Sequence, residues 1–118
     1  MLKIKRVYEK AKEDDGYRIL IDRLWPRGLS KEKAEIKYWA KEIAPSNNLR
    51  KTFHRGGINF DEFKELYIKE LNSNQEGKAF LEIIDLKLKE GDITLLYGSK
   101  NEKNNNGLVL KDWLEEHL

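Results

Sequence analysis

Apolar residues fall in three dense runs separated by longer stretches of helical spacing. Leu2 and Ile4 alternate with basic residues, and Val7 sits one step out of phase. That pattern predicts a short strand over 2–8, near a sheet edge. Asp15-Gly16 is a turn signal. The stretch 17–24 reads as a second strand, and its continuous Ile19-Leu20-Ile21 run is the mark of a strand covered on both faces. The stretch 93–97 is a third strand of the same kind.

Helical spacing fills the remainder. Ser30 is expected to cap a helix with Glu32 in its first turn. Ala34, Tyr38 and Ile43 would form its inner face with Trp39 beside them, and Ala44-Pro45 would stop it. Ser46 opens a short helix over 47–54, closed by Gly56-Gly57. Asn59 and Glu62 have capping-box spacing, and Phe60, Phe63, Leu66, Tyr67 and Leu71 follow them at helical intervals. A loop at Asn72-Ser73-Asn74 precedes another amphipathic helix carrying Ala79, Phe80, Ile83, Ile84 and Leu88, ended by Gly91. A polar loop over 98–106 leads to a closing helix bearing Leu108, Leu110, Trp113 and Leu114. The order predicts one compact α/β domain over 1–118. Its sheet would be small and largely parallel, with about three strands, packed with five or so helices.

Composition narrows the function classes more than it names one. The 118 residues carry 23 basic and 21 acidic side chains, for a net charge of +2. No global field attracts nucleic acid, so an anion site must come from local clustering. The absence of cysteine excludes disulfides and thiolate chemistry, and is compatible with the reducing cytoplasm. Charges interrupt the first six residues, so no leader is expected, and no run approaches a membrane span. Two histidines are too few for a histidine-based metal site. No metal or cofactor is expected.

Three segments carry candidate chemistry. At the end of the second strand stand Asp22 and Arg23, then Arg27 beyond a rigid turn, then Ser30 at a helix start. Ligands of open α/β sheets gather where strands end and helices begin, and a guanidinium offers a donor fork to oxyanions. The plainer reading is an internal pair in which Asp22 accepts from an arginine and pins the turn. The loop after the third strand offers Tyr97, Ser99, Lys100 and Asn105. It lacks the order and spacing of a P-loop, and a solvated connection with a helix cap from one of Asn104 to Asn106 is the plainer reading. Finally, His54 and Arg55 lie in a locally basic stretch with Arg50 and Lys51, before two glycines. They form either an anion-contacting flap or a basic helix end that complements the dipole.

The block Asp22-Arg23-Leu24-Trp25-Pro26-Arg27-Gly28-Leu29-Ser30, preceded by Asp15-Gly16-Tyr17-Arg18, resembles the opening of the YeaO-like proteins, the family of domains of unknown function numbered 488. Further matches are Ala44-Pro45-Ser46 with Leu49-Arg50-Lys51 and Phe53, then Phe63, Tyr67 and Glu70-Leu71. The last comprises Thr94-Leu95-Leu96-Tyr97 with Asn105 and Val109-Leu110. The resemblance spans nearly the whole chain. It implies a compact α/β domain of bacterial or archaeal cytoplasm and supplies no reaction. It strengthens Asp22, Arg23 and Arg27 as site candidates. Relatives often carry histidines where Asn104 and Asn106 stand here, and aspartate-proline where Arg55-Gly56 stand. More distant members have cysteines near the end of the third strand, where this chain has Tyr97. Histidine-based and thiol chemistry therefore do not carry over.

The expected function is an anion- or phosphate-binding cleft walled by 22–30 and 97–106, with His54-Arg55 as a third side. Its partner would be a phosphate-containing small molecule, a nucleotide or a phosphorylated metabolite, bound or acted on. Nucleic acid is an alternative that the net charge does not favour, and no membrane partner is expected. An enzyme, a non-catalytic binding module and a protein-interaction module all remain open at this level.

Overall fold

A computed structural model describes residues 1–118. Strands β1 (Leu2–Arg6), β2 (Tyr17–Leu20), β3 (Tyr38–Trp39) and β4 (Ile93–Tyr97) form one all-parallel sheet in the order β1-β4-β2-β3. Helices α1 (Lys31–Ala34), α2 (Asn47–His54), α3 (Phe60–Ser73), α4 (Gln75–Glu90) and α5 (Asn106–His117) complete the domain, with short 3-10 turns at Glu13–Asp15 and Lys41–Ile43. No helix is long and apolar enough to cross a membrane.

The apolar alternation along β2 and β4 decides which element covers which face. Ile19, Ile21, Ile93, Leu95 and Tyr97 join the main core, where α2 to α5 contribute Leu49, Phe63, Tyr67, Leu71, Phe80, Ile84, Val109, Leu110, Trp113 and Leu114. Leu20 and Leu96 point the other way and meet Val7, Trp25, Leu29, Ile36 and Trp39. Buried polar residues share that second face. Arg18 donates from Nη1 to Asp15 at 2.6 Å and from Nε and Nη2 to the Ala34 carbonyl, while Lys5 reaches Asp15 at 3.0 Å. One face is thus sealed by helices, the other by irregular chain held with an ionic lock.

The small parallel sheet with five helices is as expected, and two local readings differ. A short further strand, β3, joins the sheet because the helix expected over residues 30–43 forms only one turn. Glu35 adopts a left-handed conformation at φ 48°, which stops α1 after Ala34. Lys37 N–H then bonds the Arg18 carbonyl and Ala40 N–H the Leu20 carbonyl, so residues 38–39 join the sheet edge. Tyr38 packs on the main core and Trp39 on the opposite cluster. Placing two aromatics on opposite faces requires a period of two, and their burial outweighs helix propensities of about 0.5 kcal/mol per residue. The second strand also ends at Leu20 rather than Leu24, with one further bond from Ile21 N–H to the Leu96 carbonyl.

The capping signals appear in the structure where the sequence places them. Ser46 accepts from Leu49 N–H and Asn59 shares reciprocal bonds with Glu62. Asn74 both ends α3 and caps α4, so the expected loop contracts to a single hinge residue.

Candidate functional site

The early end of β2 frees Asp22 and Arg23 from strand geometry, so both side chains reach one cleft of about 390 Å³. The cleft lies beyond the carboxyl ends of β2 and β4, with Tyr8 entering from the end of β1. From β2 the chain runs through α1 to a neighbour on one side, whereas α5 after β4 packs over β1 and β4. Successive connections therefore diverge at the β2/β4 boundary, the position where open parallel sheets hold ligands.

Asp22 forms the floor. Its Oδ2 accepts from Gly98 N–H at 2.8 Å and its Oδ1 from Asn106 Nδ2 at 2.9 Å, while its carbonyl accepts from Trp39 Nε1 at 2.7 Å. The carboxylate thus ties the exits of β2 and β4 together, and the arginine partner expected for it is not the one it takes. Burial is the largest influence on this carboxyl and pushes it above its ordinary 3.8. The bonds from Asn106 and Gly98 and the charges of His54 and Arg50 oppose that rise without cancelling it.

Arginines form the walls. Arg23 donates from Nε to the Pro45 carbonyl at 3.0 Å and from Nη2 to the Ala44 carbonyl at 3.2 Å, which docks the turn against the start of α2. Arg27 is exposed on the rim, and its backbone carbonyl accepts from Tyr8 Oη at 3.0 Å. Arg50 enters from α2 and reaches Asn47 at 3.4 Å, but its buried Nε has no hydrogen-bond partner. A buried donor without a partner is a costly arrangement that an acceptor would relieve.

Of the residues singled out in the sequence, Asp22, Arg23, Arg27, His54, Ser99 and Asn105 line the cleft together. Four lie outside its lining. Ser30 caps α1 by accepting from Lys33 N–H, and Arg55 is the exposed end of α2. Lys100 is exposed at the loop tip, and Tyr97 is buried in the main core because it is the last inward position of β4. Asn105 caps α5 through Leu108 N–H and braces the loop through the Asn101 carbonyl. The Ser99 carbonyl accepts from Arg6 Nε. Beyond the expected walls the cleft also takes Tyr8, Phe53 and Phe63, which the sequence did not single out for the site, and Arg50, which it offered only as part of the basic stretch around His54. Arg50 had a local signal, since it stands four positions before His54 on α2 and shares its face, and Phe53 follows Arg50 by three.

Asp22→Ala is expected to cost about 1–3 kcal/mol, because Gly98 N–H and Asn106 lose their acceptor. Asp22→Asn, which preserves one acceptor and lets Asn106 turn over, is expected to cost less. A carboxyl raised on folding favours the native state at low pH, and that contribution is lost as pH rises through the folded value. Urea midpoints between about pH 4 and about pH 7 should therefore improve for Asp22→Asn relative to wild type as pH increases.

Comparison with known proteins agrees with this fold-wide reading. The family model described as "Inactive DUF488-N3 subclade" matches residues 1–118. The chain is 47% identical over 114 residues to the uncharacterized protein YeaO of Escherichia coli (strain K12), covering 96% of each. It is 41% identical over 73 residues to an uncharacterized protein of Mycobacterium tuberculosis (strain ATCC 25618 / H37Rv), covering 62% of each. No solved structure matches. A model matched from end to end and a relative of this similarity establish that the chain belongs to the DUF488 family, in its inactive N3 subclade.

Proposed function

We propose that the cleft is a non-catalytic binding site for a small molecule carrying a phosphate or similar oxyanion. The observation behind this reading is the convergence of Arg23, Arg27 and Arg50 on one concavity at the β2/β4 exits, with the buried Nε of Arg50 unpartnered. Arg27 makes no internal bond through its guanidinium, and Arg23 keeps Nη1 after bonding two carbonyls. These groups suit a planar or tetrahedral anion. The reading takes a cytoplasmic location, where phosphorylated metabolites are abundant.

Binding without turnover fits the disposition of the titratable groups. Asp22 engages both oxygens in holding Gly98 and Asn106. His54 lines the cleft without a hydrogen-bonded carboxylate to orient its ring. A general base needs a reachable proton and a positioned lone pair, and neither group offers the pair already set. The family's description as inactive agrees with this assignment.

Inorganic phosphate is expected to raise the melting temperature of the wild-type protein saturably. The Arg27→Ala/Arg50→Ala variant should remain folded and lose at least roughly 100-fold in affinity, since charge-assisted bonds contribute about 1.5–3 kcal/mol each. Calorimetric titration measures the loss, and phosphorus NMR checks that an added phosphoester is recovered intact. Equal phosphate stabilisation of the folded double variant would overturn the reading. Ester cleavage would overturn its non-catalytic part.

A further inference from the structure

The cleft pairs its arginines with aromatic rings, and that pairing narrows the ligand. Tyr8, Trp25, Phe53 and Phe63 line the same concavity as Arg27 and Arg50. Tyr8 is the exposed member, 40% accessible at the mouth. The Arg6 guanidinium lies 4.7 Å from its ring centroid, and its hydroxyl is fixed to the Arg27 carbonyl. Arg6 is in turn held by the Ser99 carbonyl. The ring is therefore braced at one face and one edge, with the mouth of the cleft beside it. An exposed tyrosine held this firmly loses little further freedom on contact, which favours stacking.

We infer that the ligand is a nucleotide, with its phosphate between Arg27 and Arg50 and its base stacked on Tyr8. This rests on the anion-binding reading above and adds the second half of the ligand. A flat heteroaromatic ring fits an aromatic wall whatever its edge pattern, and the Arg6 cation over the Tyr8 ring strengthens the platform. A volume of about 390 Å³ lies within the range of small-molecule sites. The same chemistry is offered by a free mononucleotide and by the 5′ end of a single strand.

Calorimetric titration of the full chain with inorganic phosphate, ribose 5-phosphate, adenosine 5′-monophosphate and a 5′-phosphorylated tetranucleotide tests the assignment. The mononucleotide is expected to bind about tenfold tighter than ribose 5-phosphate. Tyr8→Leu should bring the mononucleotide down to the affinity that the same variant shows for ribose 5-phosphate. Tyr8→Phe, which loses the hydroxyl but keeps the ring, should retain it. A tetranucleotide that binds tighter than the mononucleotide assigns the site to strand ends, and one that binds no tighter assigns it to free nucleotides. Equal binding of ribose 5-phosphate and the mononucleotide, or an undiminished advantage in Tyr8→Leu, overturns the nucleotide assignment and leaves the anion site standing. No binding by any of the four overturns both.

Discussion

Asp15→Ala is expected to lower the free energy of unfolding by about 3–5 kcal/mol, a large share of the roughly 5–15 kcal/mol typical of a domain. The reason is the charge it strands. Arg18 is 3% exposed on β2, under the irregular chain that covers the second face of the sheet. Its Nε and Nη2 are satisfied by the Ala34 carbonyl, but only Asp15 offers it a negative charge. Lys5 adds a second cation at 3.0 Å from the same carboxylate. Removing Asp15 therefore leaves two cations facing each other in a poorly solvated space. Adding Arg18→Met should recover part of the loss, because the stranded charge goes with it, and a urea-melt double-mutant cycle measures that coupling. Burial alone would push the Asp15 carboxyl up. The Lys12 N–H, Lys5 and Arg18 outweigh it and hold the group below its ordinary 3.8. Its contribution is thus complete above that value and disappears as pH falls through the folded one. The wild-type advantage over Asp15→Ala should shrink in acid and stay level above about pH 5.

Gly16→Ala, one residue along, is expected to cost at least about 3 kcal/mol and to shift the sheet register where it is tolerated. Gly16 has φ 68° and ψ −134°, a conformation that disfavours any side chain. A methyl group there would lie 2.1 Å from the Asp92 carbonyl oxygen, which itself accepts from Tyr17 N–H at 2.9 Å to begin the β2–β4 pairing. Neither backbone can yield without breaking that bond. Gly28→Ala is the control, with a comparable φ of 77° and no atom within 4 Å of the added carbon. It should cost only about 1 kcal/mol. The gap between the two melting curves isolates the steric term from the conformational one. Equal losses would show that backbone conformation alone governs both positions.

These two sites also mark the limit of what local sequence conveys. Dense runs such as Ile19-Leu20-Ile21 and Ile93–Tyr97 declare strands because burial on both faces leaves Thr94 as their one aliphatic-polar position. Ser46, Asn59 and Glu62 declare helix starts because a cap acts within four residues. Asp15-Gly16 is visible as a turn, yet nothing nearby says that Asp15 pairs with Arg18 and Lys5. Residues 36–40 mislead for a related reason. Their helical pattern is plausible until β2 is available as an edge, and then the ladder and the opposed packing of Tyr38 and Trp39 prevail. The cleft was half legible. Asp22, Arg23 and Arg27 stand in one distinctive block, whereas Tyr8, Arg50 and Asn106 arrive from three distant elements. Their convergence depends on strand order, which apolar spacing does not encode.

The central position of β4 bears on synthesis. β1 pairs with β4 alone, and β2 has β4 on one side and only the two residues of β3 on the other. While a ribosome is still making the middle of the chain, Leu2–Arg6 therefore has no partner to dock against. Its Lys3, Lys5 and Arg6 keep that waiting ribbon charged and discourage its capture by another nascent polypeptide.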